Sequence, residues 1–186
     1  MLKKDLRLKI LSLRNSTTSE YLSEQSLQLA NTLLKLPIWN FSYYHLFLPI
    51  TEKKEIDTSY ILSILQGKDK NVVLPKMTGD QNLKHFLLTD STVIKPNKWG
   101  VPEPLEGIEV PTHKIDVVFI PLLAFDTKGN RVGYGKGFYD VFLKECNPNV
   151  VKIGLSLFEA EESIDDMAPD DVPLDYCITP NKVYSF

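Results

Sequence analysis

The chain has only two cysteines, Cys146 and Cys177, and neither stands in a Cys-x-x-Cys spacing or a Cys/His cluster. That excludes a disulfide scaffold and a structural zinc site as the source of its stability. Its three histidines, His45, His85 and His113, are far apart in sequence, suggest no metal triad and are expected to be structural. Long apolar runs are missing too. The longest, Val117 to Phe125, falls far short of the roughly 20 residues that cross a bilayer, and the first residues lack the apolar centre of a secretory signal. A cytoplasmic protein without membrane attachment is expected. There is no excess of positive charge, and a formal net charge of −3 argues against a nucleic-acid coat. Gly-x-Ser-x-Gly is absent, and no Ser/His/Asp or Cys/His constellation is evident, so covalent hydrolytic catalysis is not expected.

What is present fits one soluble domain over residues 1–186. Charge is unevenly spread. Lys3, Lys4, Arg7, Lys9 and Arg14 oppose only Asp5 near the start, whereas residues 159–175 carry eight acids and no Lys or Arg. Most of these side chains read as solvated surface, with a minority available for an anion site at one end and a cation site at the other.

Leu2, Leu6, Ile10 and Leu13 predict an amphipathic helix over 2–14. Thr17 and Glu20 have capping-box spacing for a second helix with Leu22, Leu29, Leu33 and Leu36 inward, closed by Pro37. Either Asp57 or Thr58 caps a third helix with Ile61, Ile64 and Leu65 inward. Strands are predicted at 43–48, at 71–74 stopped by Pro75, at 83–88, 116–120, 151–157 and 176–179, with a helix over 138–146. The rest of 77–112 reads as a long Pro- and Gly-containing loop. Such alternation favours an α/β fold: a three-layer sandwich with a largely parallel central sheet, Rossmann-like. Ligands in such sheets sit beyond the carboxyl ends of the strands, which points to the loops after Leu48, Leu74 and Ile120.

The most informative stretch follows the strand ending at Ile120. Gly133, Gly135 and Gly137 alternate with bulky residues just before a helix. Glycines let a backbone turn tightly and bring N–H groups close to a ligand, and a helix start adds free N–H groups and a positive dipole end. Arg131 and Lys136 add full charges, and together these suit a phosphate group. Neither GxxxxGK[ST] nor GxGxxG fits, and a glycine-alternating loop by itself is more often a plain turn. Asp140, in the first helical turn, reads either as a dipole partner or as a Mg²⁺ ligand.

The run Arg131-Val-Gly-Tyr-Gly-Lys-Gly-Phe-Tyr-Asp140, preceded by Pro121 and Ala124-Phe-Asp126, resembles the signature of the 5-formyltetrahydrofolate cyclo-ligase family. Lys3-Lys-Asp-Leu-Arg7, Glu55-Ile-Asp-Thr58, Val72-Val-Leu-Pro75, Trp99-Gly-Val-Pro-Glu103-Pro104 and Asp171-Val-Pro-Leu-Asp175 match further elements of that family in order. Asp170 departs from the pattern by standing where a histidine usually precedes the acid matching Asp171, and related proteins vary at Tyr134.

The resemblance implies an ATP-dependent conversion of 5-formyltetrahydrofolate to 5,10-methenyltetrahydrofolate, with Mg²⁺ as cofactor, ATP as co-substrate and small molecules as the partners of a monomer. It implies that Lys3, Lys4, Asp5, Leu6 and Arg7, with Arg131, Val132, Gly133, Tyr134, Gly135, Lys136, Gly137, Phe138 and Tyr139, contact the nucleotide. Ile50 and Glu55, with Tyr134, Gly135, Lys136, Gly137 and Phe138, are expected to contact the folate. Lys136 and Arg131 are expected to be catalytic, Lys136 as a buried cation facing phosphate, and Asp140 and Asp171 to hold the metal. Phe138 is the aromatic expected to lie in the core. The rival readings are a non-catalytic nucleotide- or folate-binding protein, and an enzyme acting on another phosphorylated small molecule.

Overall fold

The computed structural model describes residues 1–186. Its helices are α1 Lys3–Ser16, α2 Ser19–Leu33, α3 Ser59–Gly67 and α4 Phe138–Glu145. Its strands are β1 Tyr43–His45, β2 Asn71–Thr78, β3 Asn82–Leu87, β4 Ile94–Pro96, β5 Pro102–Pro104, β6 Val117–Pro121, β7 Ala124–Phe125, β8 Arg131–Val132, β9 Val151–Leu155, β10 Tyr176–Ile178 and β11 Val183–Ser185. Seven strands form the central sheet in the order β11-β10-β9-β6-β1-β2-β3. The inner strands run parallel, and antiparallel β3 and β11 form its two edges.

Successive strand residues face opposite sides, so each strand feeds two cores. Tyr44, Val72, Val117, Phe119 and Ile153 pack with Leu29 and Leu33 of α2 and Ile61 and Leu65 of α3. Val73, Val118, Ile120 and Cys177 pack on the other face with Phe142 and Leu143 of α4. The expected α/β sandwich with a largely parallel sheet is the observed architecture. No helix is long and apolar enough to cross a membrane.

Local chemistry explains where elements depart from the sequence expectation. Helix α1 lies outside the layers, covering a separate small core of Leu123, Ala124, Val132 and Ile164. Only a narrow stripe, Leu6, Ile10 and Arg14, is therefore buried, while Leu2 and Leu13 are exposed. The second helix starts one residue later than the capping-box spacing suggests, because Thr18 Oγ1, not Thr17, accepts from Tyr21 N at 3.1 Å. Pro75 does not stop β2. It pairs with His85, whose carbonyl accepts from Val110 N on its other side, so β3 needs no N–H from Pro75 there. The expected long loop after β3 contains the antiparallel β4–β5 hairpin, braced by Glu103 Oε2, which accepts from Met77 N and Asn97 Nδ2 at 3.0 and 3.1 Å.

His45 and His85 are structural, as expected, though in a form the sequence does not announce. Both are buried, their rings 5.5 Å apart between Tyr139 and Phe142, and none of their ring nitrogens has a hydrogen-bond partner. Burial pushes His85 down to about 4, and burial with the neighbouring His85 holds His45 well below its ordinary value. Both are neutral at pH 7.

Candidate active site

The carboxyl ends of β1, β2 and β6 open into a cleft of about 360 Å³, at the end of the sheet expected for a ligand. The segments after Leu48, Leu74 and Ile120 all reach it, through Leu48 and Ile50, Pro75 and Met77, and Pro121, but where a loop is expected after Leu74 the chain continues as β2, and Pro121 still belongs to β6. Trp99, Val101 and Pro102, from the β4–β5 hairpin, close one side.

The glycine-punctuated segment forms another wall. Asp126 sets up the β7–β8 turn that delivers it. Its buried carboxylate accepts from Lys128 N and Asn130 N through Oδ1, and from Asn130 Nδ2 and Ile164 N through Oδ2. Gly135 and Gly137 then take φ of +92° and +75°, a region that L side chains rarely adopt. Arg7 of α1 also packs against Gly135: a Cβ there would stand 3.2 Å from Arg7 Cζ. Arg7 Nε donates to Gly133 O at 2.9 Å, tying the first helix to the loop. Helix α4 follows directly from Gly137, and no side chain caps its first turn.

Charge is concentrated here in pairs. Arg131 is buried and donates through Nη2 to Asp140 Oδ1 at 2.6 Å, while its Nε donates to Val172 O at 3.1 Å. Burial lowers the Arg131 pKa, and the charges of Asp140 and Asp171 oppose that shift. Lys3 Nζ pairs with Asp171 Oδ2. Burial alone would raise Asp171, but hydrogen bonds from Lys3 Nζ and Ala168 N hold it below the ordinary carboxylate value. Lys9 also pairs with Glu161, at 2.6 Å. The basic start and the acidic late segment thus meet through Lys3 and Lys9, while Lys4, Glu159, Glu162 and Asp166 remain exposed, as expected of solvated surface. Asp170, the departure from the family pattern, points outward and pairs with Lys144 at 2.7 Å.

Glu55 is buried. Its Oε2 accepts from Ile50 N at 2.7 Å and its Oε1 from Tyr134 Oη at 2.7 Å. Tyr134 Oη in turn accepts from Arg14 Nη1 at 3.0 Å. Burial, reinforced by the charge of Glu55, raises the phenol pKa of both Tyr134 and Tyr139, so both stay protonated at neutral pH.

Of the residues singled out from sequence, Lys3, Arg7, Ile50, Glu55, Arg131, Gly133 through Asp140 and Asp171 all line this cleft. Others do not. Lys4 and Asp5 project to solvent from the outer side of α1, and Leu6 and Val132 fill the small core beneath it. Helical periodicity dictates this, since a helix can turn only one face toward a site. Lys136 lines the cleft but is exposed rather than buried, its Nζ 4.4 Å from the centre of the Trp99 ring. Phe138 is buried, as expected of a core residue, and still forms part of the cleft wall. Arg14, Lys53 and Trp99 are the residues that sequence reasoning missed. Trp99 lay within a quoted motif, and Arg14 continues the Leu6–Ile10 stripe at a helical spacing of four, an unusual place for a cation.

Asp140 and Asp171 are hard oxygen donors on the cleft wall, and each leaves one carboxylate oxygen free of hydrogen bonds. No three acids, histidines or cysteines converge on a single point. That donor set fits Mg²⁺, which takes one or two carboxylates and completes its shell with phosphate oxygens and water, and it does not fit a metal needing an all-protein cage.

Known proteins share this architecture. The structure of a 5,10-methenyltetrahydrofolate synthetase from Aquifex aeolicus superposes with a TM-score of 0.82 at 28% identity, covering 100% of this chain and 93% of that one. The 5,10-methenyltetrahydrofolate synthetase from Mycoplasma pneumoniae gives 0.77 at 25% identity, covering 97% and 99%. A Schizosaccharomyces pombe protein named "Probable 5-formyltetrahydrofolate cyclo-ligase" is 28% identical over 97% of this chain and 96% of its own length. The model of the 5-formyltetrahydrofolate cyclo-ligase family matches residues 1–180, a span that includes α1, the Glu55 loop, the glycine segment and Asp171. With its cleft built from those same segments, the chain belongs to the 5-formyltetrahydrofolate cyclo-ligase family.

Proposed function

We propose that this protein converts 5-formyltetrahydrofolate and ATP to 5,10-methenyltetrahydrofolate, ADP and phosphate. The observation that carries the reading is one cleft that holds both chemistries. Lys3, Arg7, Arg131 and Lys136 line it with positive charge, Lys3 and Arg131 in pairs with Asp171 and Asp140, and a buried, rigidly held carboxylate, Glu55, lines it too.

An N-formyl group is a poor electrophile, because nitrogen donates into the carbonyl and its oxygen is a poor leaving group. Transfer of the γ-phosphoryl group to the formyl oxygen converts that oxygen into a phosphate ester and leaves the carbon iminium-like. N10 attacks that carbon and gives up its proton, the ring closes, and the carbon–oxygen bond breaks to release phosphate, which takes up that proton. Little covalent help is needed from the protein; in-line positioning and positive charge are. Arg7 and the N–H groups of residues 133–138 hold phosphate oxygens, and Lys136, exposed beside the Trp99 ring, reaches the transferring group. Arg131, buried behind Asp140, fixes that carboxylate and adds to the positive field. Glu55 accepts hydrogen bonds from N–H groups of the reduced pterin, with Ile50 and Tyr134 holding it in place. Asp140 and Asp171 would hold Mg²⁺, which when bound would neutralise charge on the phosphates.

Two buried, unpaired cysteines suit a reducing compartment such as the cytoplasm. The test is the near-ultraviolet absorbance of methenyltetrahydrofolate with one ADP released per product, in reactions with and without ATP. Tight binding of both substrates without product would instead make this a non-catalytic nucleotide- and folate-binding protein.

A further inference from the structure

Arg14 is a guanidinium buried to 3% exposure with no carboxylate against it. Burying a cation without a counter-charge is costly, and such groups are normally paired. Arg14 Nη2 donates to Leu122 O at 2.7 Å, Nη1 donates to Tyr134 Oη at 3.0 Å, and Nε has no partner. Tyr134 passes the interaction on, donating its own hydrogen to Glu55 Oε1 at 2.7 Å. The buried anion that balances Arg14 is thus Glu55, one phenol away. The three groups come from α1, the glycine segment and the loop after β1.

We infer that Arg14 is a positioning residue for the folate side of the cleft, acting on Glu55 through Tyr134. The inference rests on the reading of Glu55 as the pterin-binding carboxylate. A phenol that accepts from a guanidinium has a more polarised O–H and is a stronger donor to the carboxylate beyond it. Accepting also fixes the direction in which the Tyr134 hydrogen points. With Oε1 claimed by Tyr134 and Oε2 by Ile50 N, the Glu55 carboxylate cannot rotate, and its remaining lone pairs keep one orientation in the cleft. Arg14 itself does not line the cleft and touches no substrate.

A purely structural role is the competing explanation, because the Leu122 bond also docks the end of α1. The two roles separate by which substrate suffers. Lys3 and Arg7, on the nucleotide wall, sit on the same helix, so loss of docking weakens ATP and folate together. Loss of positioning weakens folate alone.

The experiment measures KM for each substrate, kcat, and calorimetric affinity for 5-formyltetrahydrofolate and for MgATP, in wild type, Arg14→Gln, Arg14→Lys and Tyr134→Phe. Arg14→Gln is expected to raise KM and Kd for 5-formyltetrahydrofolate about 10-fold or more, with KM for ATP within about twofold. Arg14→Lys, which keeps the charge, recovers most of that loss. Tyr134→Phe gives a similar folate defect, and adding Arg14→Gln to it worsens folate affinity no further. Equal weakening of both substrates, an unchanged folate KM, or additive defects in the double variant would overturn the inference. Should Arg14→Gln fail to fold, Arg14→Lys and Tyr134→Phe still decide it through the ATP-against-folate split. A wild-type protein that binds MgATP but no 5-formyltetrahydrofolate would instead remove the underlying reading of Glu55, and the inference with it.

Discussion

Replacing Gly135 by alanine puts the nucleotide-loop reading under direct strain. Gly135 has φ +92°, where an L residue costs about 1–2 kcal/mol. The added methyl would also stand 3.2 Å from Arg7 Cζ and 3.3 Å from Nη2, tighter than an ordinary contact. The guanidinium is the flexible partner and must give by a few tenths of an ångström, which strains the 2.9 Å bond from Arg7 Nε to Gly133 O. In a chain of this length 1 kcal/mol corresponds to about 2–4 °C in Tm, so the backbone cost alone predicts a fall of roughly 2–8 °C. A displaced Arg7 loses a charge-assisted contact to phosphate of about 1.5–3 kcal/mol, or roughly 10- to 100-fold in ATP affinity. Thermal unfolding reads the first number, and titration calorimetry with MgATP reads the second. Gly133→Ala is the control for strain: a Cβ there meets nothing within 4 Å, so its Tm should stay near wild type. A Gly135→Ala protein with lowered Tm but wild-type ATP affinity would refute the reasoning, since the loop would then be a turn and no more.

Other perturbations follow from the same geometry. Lys136→Ala should lower kcat on the order of 10²-fold with little change in Tm, because Lys136 is exposed and contributes mainly as charge develops; steady-state kinetics and unfolding curves check this together. Asp140→Asn keeps an acceptor for Arg131 and Val172 N but removes the charge, so the Mg²⁺ concentration giving half-maximal rate should rise, and an unchanged metal dependence would exclude Asp140 as a ligand. The buried histidines predict an acid limit. An unfolded histidine has a pKa of about 6.5, and His85 in the fold is pushed down to about 4, so the unfolded chain binds more protons between those values. Stability is complete above pH 6.5 and falls as pH drops toward 4, by about 3 kcal/mol from His85 alone. Urea unfolding at pH 7 and pH 4.5 should show this loss, and His85→Phe should reduce it; equal acid sensitivity in the variant would contradict the assignment.

Much of the architecture was legible in sequence because hydrophobic periodicity is a strong signal. The apolar runs around Tyr44, Val73, Val118 and Ile153 became the inner parallel strands, and Leu29, Leu33, Ile61 and Leu65 became the inward faces of their helices. The short pieces were not legible. β4, β5, β7, β8 and β11 have two or three residues each, too few for any period to show, and are defined only by pairing: β4 with β5, β7 with β8 and β11 with β10. At the site, motif order gathered Arg7, Glu55, the glycine segment and Asp171 correctly around one cleft, yet motif membership overreached on Lys4, Asp5, Leu6 and Val132. A motif names a stretch of chain, whereas a helix or strand turns only some of its side chains to the ligand. Arg14 went unrecognised for the converse reason. Its role depends on Tyr134 and Glu55, 120 and 41 residues further on, and nothing local records that meeting.

A crystal structure with a non-hydrolysable ATP analogue, Mg²⁺ and 5-formyltetrahydrofolate tests the central claim most directly. The account predicts the triphosphate against residues 133–138 and Arg7, with the pterin edge within hydrogen-bond reach of Glu55. A triphosphate bound elsewhere, with those amides and Arg7 left facing water, would contradict it.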